Sequence, residues 1–428
     1  MKVPRSLRSI LADSSLLISV SVGVQLIALL LLPWVSRLYT PDTLGDLALI
    51  LSIATLLSIA VGGRYDQAIV VCQEPLERDH LLRLTLWITG VITLILFALT
   101  PVIEPRIVAT RYATLQGKLW LIPPVVCALG LSTTLSNYAL SLGHFKRIAT
   151  SKAVQGLGNN GLKVGFGLFS PTVWSLWGAQ IASTLLALVP LLPSLKQHKT
   201  INDPTNRRGL KFVARKYRVF PIFSLPQTLI TTLLGSILIL MLPLGYTTVE
   251  VGLVSMATML ARRPVQLIAD NISQVYLNRL AAAHYAQVPW RPLVRPLLVV
   301  TLVVGIPTLL LLWWAMPYLV RWLLAPEYAA CTEIIRAMLV YLLIFFFTSI
   351  INVIPDIIER QGAHLQVQLL NLFLQVALLV LFIYVLRAPF IETVSTYYLV
   401  IALYHALYGG WLLYLLRRHD QQLQQSND

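Results

Sequence analysis

The sequence predicts an all-α, polytopic membrane protein with about 12 transmembrane helices in two six-helix halves. The composition is the first observation behind this prediction, since 57% of the 428 residues are hydrophobic and 12% are charged. Soluble domains carry about 25% charged residues. The second observation is that apolar runs of about 20 residues, the length that crosses the hydrocarbon core, recur along the whole chain. We therefore expect lipid to surround most of the protein surface.

The predicted spans follow one another through short connections, with one exception. They are 14–35, 44–63, 81–103, 119–143, 150–170, 173–195, 220–242, 249–275, 296–319, 337–355, 365–386 and 396–416. The first run is too long for the apolar region of a signal peptide and no small-residue cleavage site follows it, so we expect a retained span. The exception is the basic linker 196–219, which divides an N-terminal half (1–195) from a C-terminal half (220–428).

Basic residues orient the predicted spans. The net charge of +15 would indicate nucleic-acid binding in a soluble protein, but no basic soluble domain is present, and we expect no nucleic-acid partner. In membrane proteins Lys and Arg gather in cytoplasmic loops. Most of the 33 Lys and Arg residues here fall in the linker and in segments on the same side as the N-terminus. Both termini are therefore expected to be cytoplasmic, with the linker as a topology anchor beside anionic headgroups.

A short repeat relates the two predicted halves. Tyr39-Thr40 with Gly45 lies between spans one and two, and Tyr246-Thr247 with Gly252 lies between spans seven and eight. Both segments fit the pattern Y-T-x4-G at the same topological point. This favours parallel repeats related by an axis along the membrane normal, and ligand sites tend to lie between such halves.

Two adjacent arginines occupy the eighth predicted span. Arg262 and Arg263 lie about 20 Å along a helix that starts near Val249, close to mid-depth. An arginine near the bilayer centre costs roughly 2.5–3.5 kcal/mol, so we expect the pair to face a polar cavity that binds an anion. Pro264 removes a backbone donor and is expected to loosen the helix there. The alternative is that the pair marks the inner end of a shorter helix.

A glycine-rich segment, Gly156–Lys163, lies in the fifth predicted span. It fits G-x-G-x-x-G, but a dinucleotide site requires a preceding strand in a soluble βαβ unit, which nothing here provides. Two interpretations stay open. The small residues allow close helix packing, or a loosened helix presents the amides of Asn159 and Asn160 and the cation of Lys163 to the cavity.

Four further polar residues are candidates for pairing or ion coupling. Arg64 and Asp66 close the second span, and their default interpretation is an ion pair; the alternative places Arg64 at the inner mouth of the cavity. Asn137, in span four, is expected to make an interhelical hydrogen bond. Asp270 continues the eighth helix and is expected to pair with an arginine or to carry a proton. Asp66 and Asp270 are our candidates for ion coupling, because the sequence has no nucleotide-binding motif to supply energy.

Motifs for catalysis and metal binding are missing from the sequence. Its three cysteines form no CxxC and its histidines show no metal-ligand spacing, so neither a metal nor a cofactor is expected. No nucleophile elbow, zinc-protease motif or phosphate-binding loop occurs. The outer loops are short for a glycan polymerase. We therefore expect a protein that is not an enzyme.

Several segments carry a family resemblance. Leu32–Pro41 and Arg64–Val70 resemble the start of oligosaccharide flippases, the Wzx-type transporters of polysaccharide biosynthesis and export in the MOP exporter superfamily. Arg218–Pro221 and Gln274–Tyr276 are similar to the second half of that family. Ala325–Tyr328 departs at two places from the family's Gly-Pro-Glu-Trp-like outer motif.

This resemblance implies a MOP-like fold and a transport function. The implied substrate is an undecaprenyl-pyrophosphate-linked oligosaccharide, an O-antigen or similar repeat unit, moved from the inner to the outer leaflet of the bacterial cytoplasmic membrane. A glycan polymerase and chain-length machinery are implied partners. In related lipid II flippases, cavity arginines lie on helices one, two and eight; Arg64 and the pair Arg262 and Arg263 match the latter two, while helix one offers only Gln25.

Three alternatives differ in what they require of the cavity. A cation-coupled multidrug exporter of the same superfamily favours a membrane-embedded carboxylate over paired arginines. A membrane glycan polymerase lengthens lipid-linked units instead of moving them. A non-transporting scaffold tolerates the loss of Arg262 and Arg263 together.

Overall fold

The described part of the protein is built from helices. In the computed structural model it comprises residues 5–108, 110, 112–197 and 206–427; residues 198–205 of the predicted linker lie outside it. The α-helices there are α1 (Arg5–Leu38), α2 (Pro41–Val61), α3 (Tyr65–Val71), α4 (Pro75–Val108), α5 (Ile122–Ser141), α6 (Phe145–Phe169), α7 (Val173–Leu186), α8 (Asn206–Lys216), α9 (Leu225–Met241), α10 (Thr248–Ala257), α11 (Arg263–Tyr285), α12 (Arg291–Val303), α13 (Gly305–Leu323), α14 (Cys331–Ile351), α15 (Ile354–Ile357), α16 (Gln361–Val380) and α17 (Phe390–Asn427).

Ten segments of the described residues are long and apolar enough to cross a membrane by length and composition. They are Ser19–Leu38, Pro41–Val61, Pro75–Ile107, Leu119–Ser141, Val173–Leu195, Phe220–Leu244, Arg291–Leu323, Cys331–Ile357, Gln361–Leu386 and Phe390–Gln425. The other two predicted spans are also helical, in α6 and in α10–α11, but are more polar; Lys163 and the arginine pair are among their polar residues. The prediction of an all-α, multi-pass membrane protein with about 12 spanning helices is confirmed.

The chain divides into two compact units, Met1–Leu244 and Gly245–Asp428. In the first unit α6 packs against α1 and α7, and α2 packs against α5 and α9. In the second unit α14 packs against α17, α11 and α13. The predicted boundaries at 195 and 220 stay a prediction.

The two repeated Tyr-Thr segments have corresponding roles in their own units. Thr40 caps the start of α2 by accepting from the Thr43 N–H, and Thr247 caps α10 in a capping box. The preceding tyrosines each reach a distant backbone carbonyl: the Tyr39 hydroxyl donates to Lys163 at 2.8 Å, and the Tyr246 hydroxyl donates to Ala388 at 2.9 Å. Each tyrosine thus joins a helix junction to a later part of its own unit: Tyr39 to α6 and Tyr246 to the connection between α16 and α17.

Candidate functional site

The helix that carries the arginine pair changes its hydrogen-bond pattern at the pair. Residues Thr258–Arg262 form a π-helical turn between α10 and α11. The Arg263 N–H bonds to the Thr258 carbonyl, five residues back, and Pro264 has no N–H to donate. The predicted loosening is confirmed, and π turns of this kind are frequent at functional sites. The helix then continues to Tyr285, so the pair does not end the helix, and where its membrane span ends stays a prediction.

Arg262 is surrounded by aromatic rings. Its guanidinium carbon lies 5.9 Å from the ring centroid of Tyr341 and 5.8 Å from that of Phe345. The Tyr398 ring packs 5.8 Å from the Tyr341 ring, and the His405 ring lies 5.4 Å from it. A desolvated cation–π contact is worth about 2 kcal/mol. These rings, from α14 and α17, hold the guanidinium in place without cancelling its charge.

The arginine pair keeps hydrogen-bonding capacity for a ligand. The Arg262 Nε is buried and makes no hydrogen bond to the described residues. Arg263 is exposed, and neither guanidinium forms an ion pair with any carboxylate in the described ranges. An unmatched buried donor costs about 1–3 kcal/mol. An oxyanion such as phosphate supplies the missing acceptors and charge, since arginine binds it bidentately.

A polar network lies on the helices next to this arginine. The Tyr397 hydroxyl donates to Gln375 Oε1 at 2.7 Å, and Gln375 Nε2 donates to Asn371 Oδ1 at 3.0 Å. All three side chains are buried. Tyr397 also interacts electrostatically with Arg262. The second unit thus offers a cation together with hydroxyl and amide groups.

Sequence reasoning missed the residues around Arg262. The aromatic side chains of α14 and α17 fit lipid-facing or interfacial positions equally well. The available signal was the polar pair Asn371 and Gln375, four residues apart and therefore on one face of the otherwise apolar second half of α16.

Arg64 and Asp66 form the predicted ion pair between the second and third spans of the first unit. Arg64 Nη1 lies 3.8 Å from Asp66 Oδ2, and the two side chains are only 11% and 7% exposed. Asn137 Nδ2 donates to the same carboxylate oxygen at 2.9 Å, which confirms the interhelical bond expected of Asn137. Burial raises the pKa of the Asp66 carboxyl, and the positive charge of Arg64 opposes that shift. The alternative role of Arg64 at a cavity mouth stays a prediction.

The glycine-rich segment lies in the continuous helix α6, so the interpretation as a loosened helix is wrong. A Cβ atom placed on Gly156 would overlap the Val24 side chain of α1, and one on Gly158 would contact Ser183 of α7. The missing side chains let three helices approach closely. The packing interpretation of this segment is therefore the one that the geometry supports.

The polar residues of this segment differ in their surroundings. Asn160 Nδ2 donates to the Gly156 carbonyl of its own helix at 2.8 Å. Asn159 Oδ1 is buried without a hydrogen bond to the described residues. Lys163 is 6% exposed and its side chain is enclosed within the first unit. Their predicted role in substrate binding stays a prediction.

Asp270 lies on α11, in the second unit with the arginine pair. Its side chain is exposed. No arginine in the described residues lies within ion-pair distance of its carboxylate. The expected pairing with an arginine is therefore not observed, and the role in carrying a proton stays a prediction.

The fold is similar to solved membrane transporters. A structure of lipid II flippase MurJ in an inward closed conformation matches with a TM-score of 0.69 and 13% identity, over 96% of this chain and 90% of that chain. An inward-facing multidrug resistance MATE family transporter of the MOP superfamily matches with a TM-score of 0.61 and 14% identity, over 94% and 99%. A MOP superfamily transporter from Pyrococcus furiosus, described as having a binding pocket of reverse polarity, matches with a TM-score of 0.54 and 15% identity, over 95% and 96%. These likenesses confirm the MOP-like fold.

Comparison with curated proteins gives no match. A family model described as "Polysaccharide biosynthesis protein" matches residues 34–333. The matched region spans both units and includes Arg64, Asp66, Arg262 and Arg263. The predicted resemblance to the polysaccharide biosynthesis and export transporters is thereby confirmed, and the chain belongs to this family of polysaccharide biosynthesis proteins, with the fold of the MOP superfamily.

Proposed function

We propose that the protein is a flippase that moves an undecaprenyl-pyrophosphate-linked oligosaccharide, an O-antigen or similar repeat unit, across the bacterial cytoplasmic membrane. It takes the substrate from the inner to the outer leaflet by alternating access. The observation that carries the proposal is the adjacent pair Arg262 and Arg263 at the end of a π turn. Aromatic rings hold the Arg262 guanidinium, and neither guanidinium is paired with any described carboxylate.

The chemistry of the substrate matches this pair. A pyrophosphate concentrates negative charge on several oxygens, and arginine is the side chain that recognises such groups bidentately. In a site of low dielectric this attraction is stronger than in water. The family membership and the fold shared with a lipid II flippase support the same substrate class.

Other polar residues are proposed to contact the glycan or its headgroup. The hydroxyl and amide groups of Tyr397, Gln375 and Asn371 suit the hydroxyls of sugars. Arg64, Lys163, Asn159 and Asn160 are proposed contacts in the first unit. Because Lys163 is enclosed here, its contact requires a different conformation of the cycle. The polyprenyl tail remains in lipid.

The proposed energy source is an ion gradient or the membrane potential, with Asp66 and Asp270 as candidates for coupling. In this proposal the protein is a transporter and not an enzyme. Both of its termini lie in the cytoplasm. The bilayer surrounds it, and a glycan polymerase and chain-length machinery act on the product. The solved structures with this fold are named as a flippase and as transporters.

A multidrug exporter is the second candidate, because MATE transporters share the fold. Such an exporter of organic cations favours an accessible carboxylate at the binding site. The arrangement around Arg262 has the opposite charge, so we rank the exporter second.

A gene deletion tests the proposal. Lipid-linked glycans are analysed by mass spectrometry in the deletion strain carrying the wild-type gene, the double variant Arg262→Ala/Arg263→Ala or the control Arg279→Ala. Arg279 is an exposed arginine of the same helix, α11. We expect single, complete undecaprenyl-pyrophosphate repeat units to accumulate, with relief by wild type and the control but not by the double variant at equal membrane abundance. An unchanged lipid-linked pool would contradict the flippase and favour the exporter.

A further inference from the structure

A buried histidine faces a half-exposed carboxylate where α15 meets α16. His364 Nδ1 lies 3.7 Å from Asp356 Oδ1, with side-chain exposures of 5% and 46%. That ring nitrogen is buried and makes no hydrogen bond to the described residues. The imidazole is thus shielded, while the neighbouring carboxylate reaches accessible space.

The other ring nitrogen belongs to a hydrogen-bond network across three helices. His364 Nε2 lies 3.1 Å from the Tyr408 hydroxyl and 3.0 Å from the Gln368 amide. The Tyr408 hydroxyl donates its proton to Asn352 Oδ1, so its oxygen is free to accept from an Nε2–H. Rotation of the Gln368 amide brings its unpartnered Oε1 to the same N–H. A proton on Nε2 leaves a lone pair on Nδ1, directed at Asp356.

We propose that His364 and Asp356 form a proton-binding site that couples the proposed transport to a proton gradient. A proton from water binds the Asp356 carboxylate and passes to the Nδ1 lone pair. The products are an imidazolium and a carboxylate, which attract each other. Return of the proton to Asp356 and then to water restores the neutral imidazole. The coupling rests on the proposed flippase function, whereas proton binding does not.

Few other charged groups face this histidine. The elements packed against α16 here are α15 and α17. The turn after α15 carries Glu359 and Arg360 beside Asp356, and α17 carries Tyr404 and Tyr408. Among the described residues, Asp356 is the carboxylate within ion-pair distance. The charge on His364 therefore depends mainly on Asp356.

Aromatic rings connect the proton site to Arg262 within the second unit. The His364 ring stacks on Tyr408 with centroids 6.1 Å apart, and Tyr408 lies 6.3 Å from His405. His405 lies 5.8 Å from Phe345, which contacts the Arg262 guanidinium at 5.8 Å. A change of charge at one end alters the packing of rings that hold the cation at the other. This is a physical route by which proton binding changes anion affinity.

Histidine NMR tests proton binding without any substrate. The full-length protein, labelled with ¹⁵N in its imidazoles, is titrated in lipid nanodiscs, and His364→Gln assigns the signal. Reversible protonation of the ring predicts a His364 signal that changes with pH. Asp356→Asn removes the described carboxylate within ion-pair distance, so we expect it to alter this pH dependence. Glu359→Gln, which removes a carboxylate from the same turn, should leave the pH dependence as in wild type. A His364 signal that is the same at every pH, or a pH dependence that Asp356→Asn does not alter, would overturn the proton site.

A vesicle assay tests the coupling. The probe is the undecaprenyl-pyrophosphate-linked repeat unit extracted from the deletion strain, and its translocation is followed with and without an imposed pH gradient. We expect the gradient to accelerate the wild type and Glu359→Gln, and the acceleration to be lost in His364→Gln. Acceleration that survives in His364→Gln would overturn the coupling. If wild type moves no probe in either condition while the NMR titration behaves as expected, the flippase assignment fails and the proton site stands.

Discussion

The guanidinium carbon of Arg262 lies 5.9 Å from the centre of the Tyr341 ring. This neutral partner matters for function. A carboxylate in the same place would position the arginine but would also neutralise it, leaving little attraction for an anionic ligand. An aromatic ring attracts the cation through its quadrupole and leaves the net charge available. The contact with Tyr341 therefore positions the Arg262 guanidinium without neutralising its positive charge.

The Tyr341 ring is expected to matter more than its hydroxyl. Tyr341→Phe keeps the ring and should restore glycan transport in the deletion strain nearly as well as wild type. Tyr341→Leu removes a cation–π contact worth about 2 kcal/mol when desolvated, so we expect weaker restoration and a lower melting temperature. The measurements are lipid-linked glycan levels and thermal unfolding in detergent. Equal behaviour of the two variants would contradict the role of the ring.

Replacement of Arg262 by lysine tests whether charge alone is sufficient. Lysine keeps the positive charge but loses the planar fork that binds two oxygens at once. We expect Arg262→Lys to lower the affinity for inorganic pyrophosphate by about tenfold, equivalent to about 1.4 kcal/mol. Isothermal calorimetry of the purified protein measures this change. Arg279→Lys, on the same helix, is the matched control, and equal affinities in all three proteins would rule out bidentate recognition.

The stability contributed by Asp66 should depend on pH. Burial raises the pKa of its carboxyl despite the attraction of Arg64. When the pKa of a carboxyl is higher in the folded state, the group stabilises the folded state fully at a pH below its unfolded-state pKa of about 3.9. This stabilisation is lost as pH rises through the folded-state pKa. Above that window, Asp66→Asn should therefore be at least as stable as wild type.

Thermal unfolding between about pH 4 and pH 8 measures this difference. We expect the melting temperature of Asp66→Asn to rise relative to wild type as pH increases. Glu74→Gln is the control, because Glu74 is an exposed carboxylate nearby. A neutral-pH loss of stability in Asp66→Asn would show that the attraction of Arg64 outweighs the burial of the charge.

The glycines of α6 should differ in their tolerance of a methyl group. Gly156→Ala places a Cβ against Val24, and overpacking of this kind costs about 1–3 kcal/mol. Gly161→Ala meets nothing within 4 Å and should be tolerated. Val24→Ala is expected to rescue Gly156→Ala. Melting temperatures of the single and double variants test this, and a lack of rescue would place the strain elsewhere.

Local patterns in the sequence predict much of this protein. The apolar runs identify the spans. The two predicted spans that are less hydrophobic than the ten candidate spans contain Lys163 and the arginine pair. Pro264 after two arginines predicts the local loosening observed as a π turn. Arg64 and Asp66 are only two positions apart in the chain, so the sequence alone predicts their ion pair. The Tyr-Thr repeat likewise marks two capped helix starts.

The sequence by itself therefore determined the membrane-spanning helical class, the family and the unusual cations, because each depends on neighbours along the chain. The tertiary structure decided what surrounds those cations. Tyr341 and Phe345 reach Arg262 from α14, and Gly156 brings α6 against Val24 of α1. Such contacts join residues far apart in sequence, and apolar helices have many faces of nearly equal hydrophobicity. Only the packing of the helices selects the faces that meet.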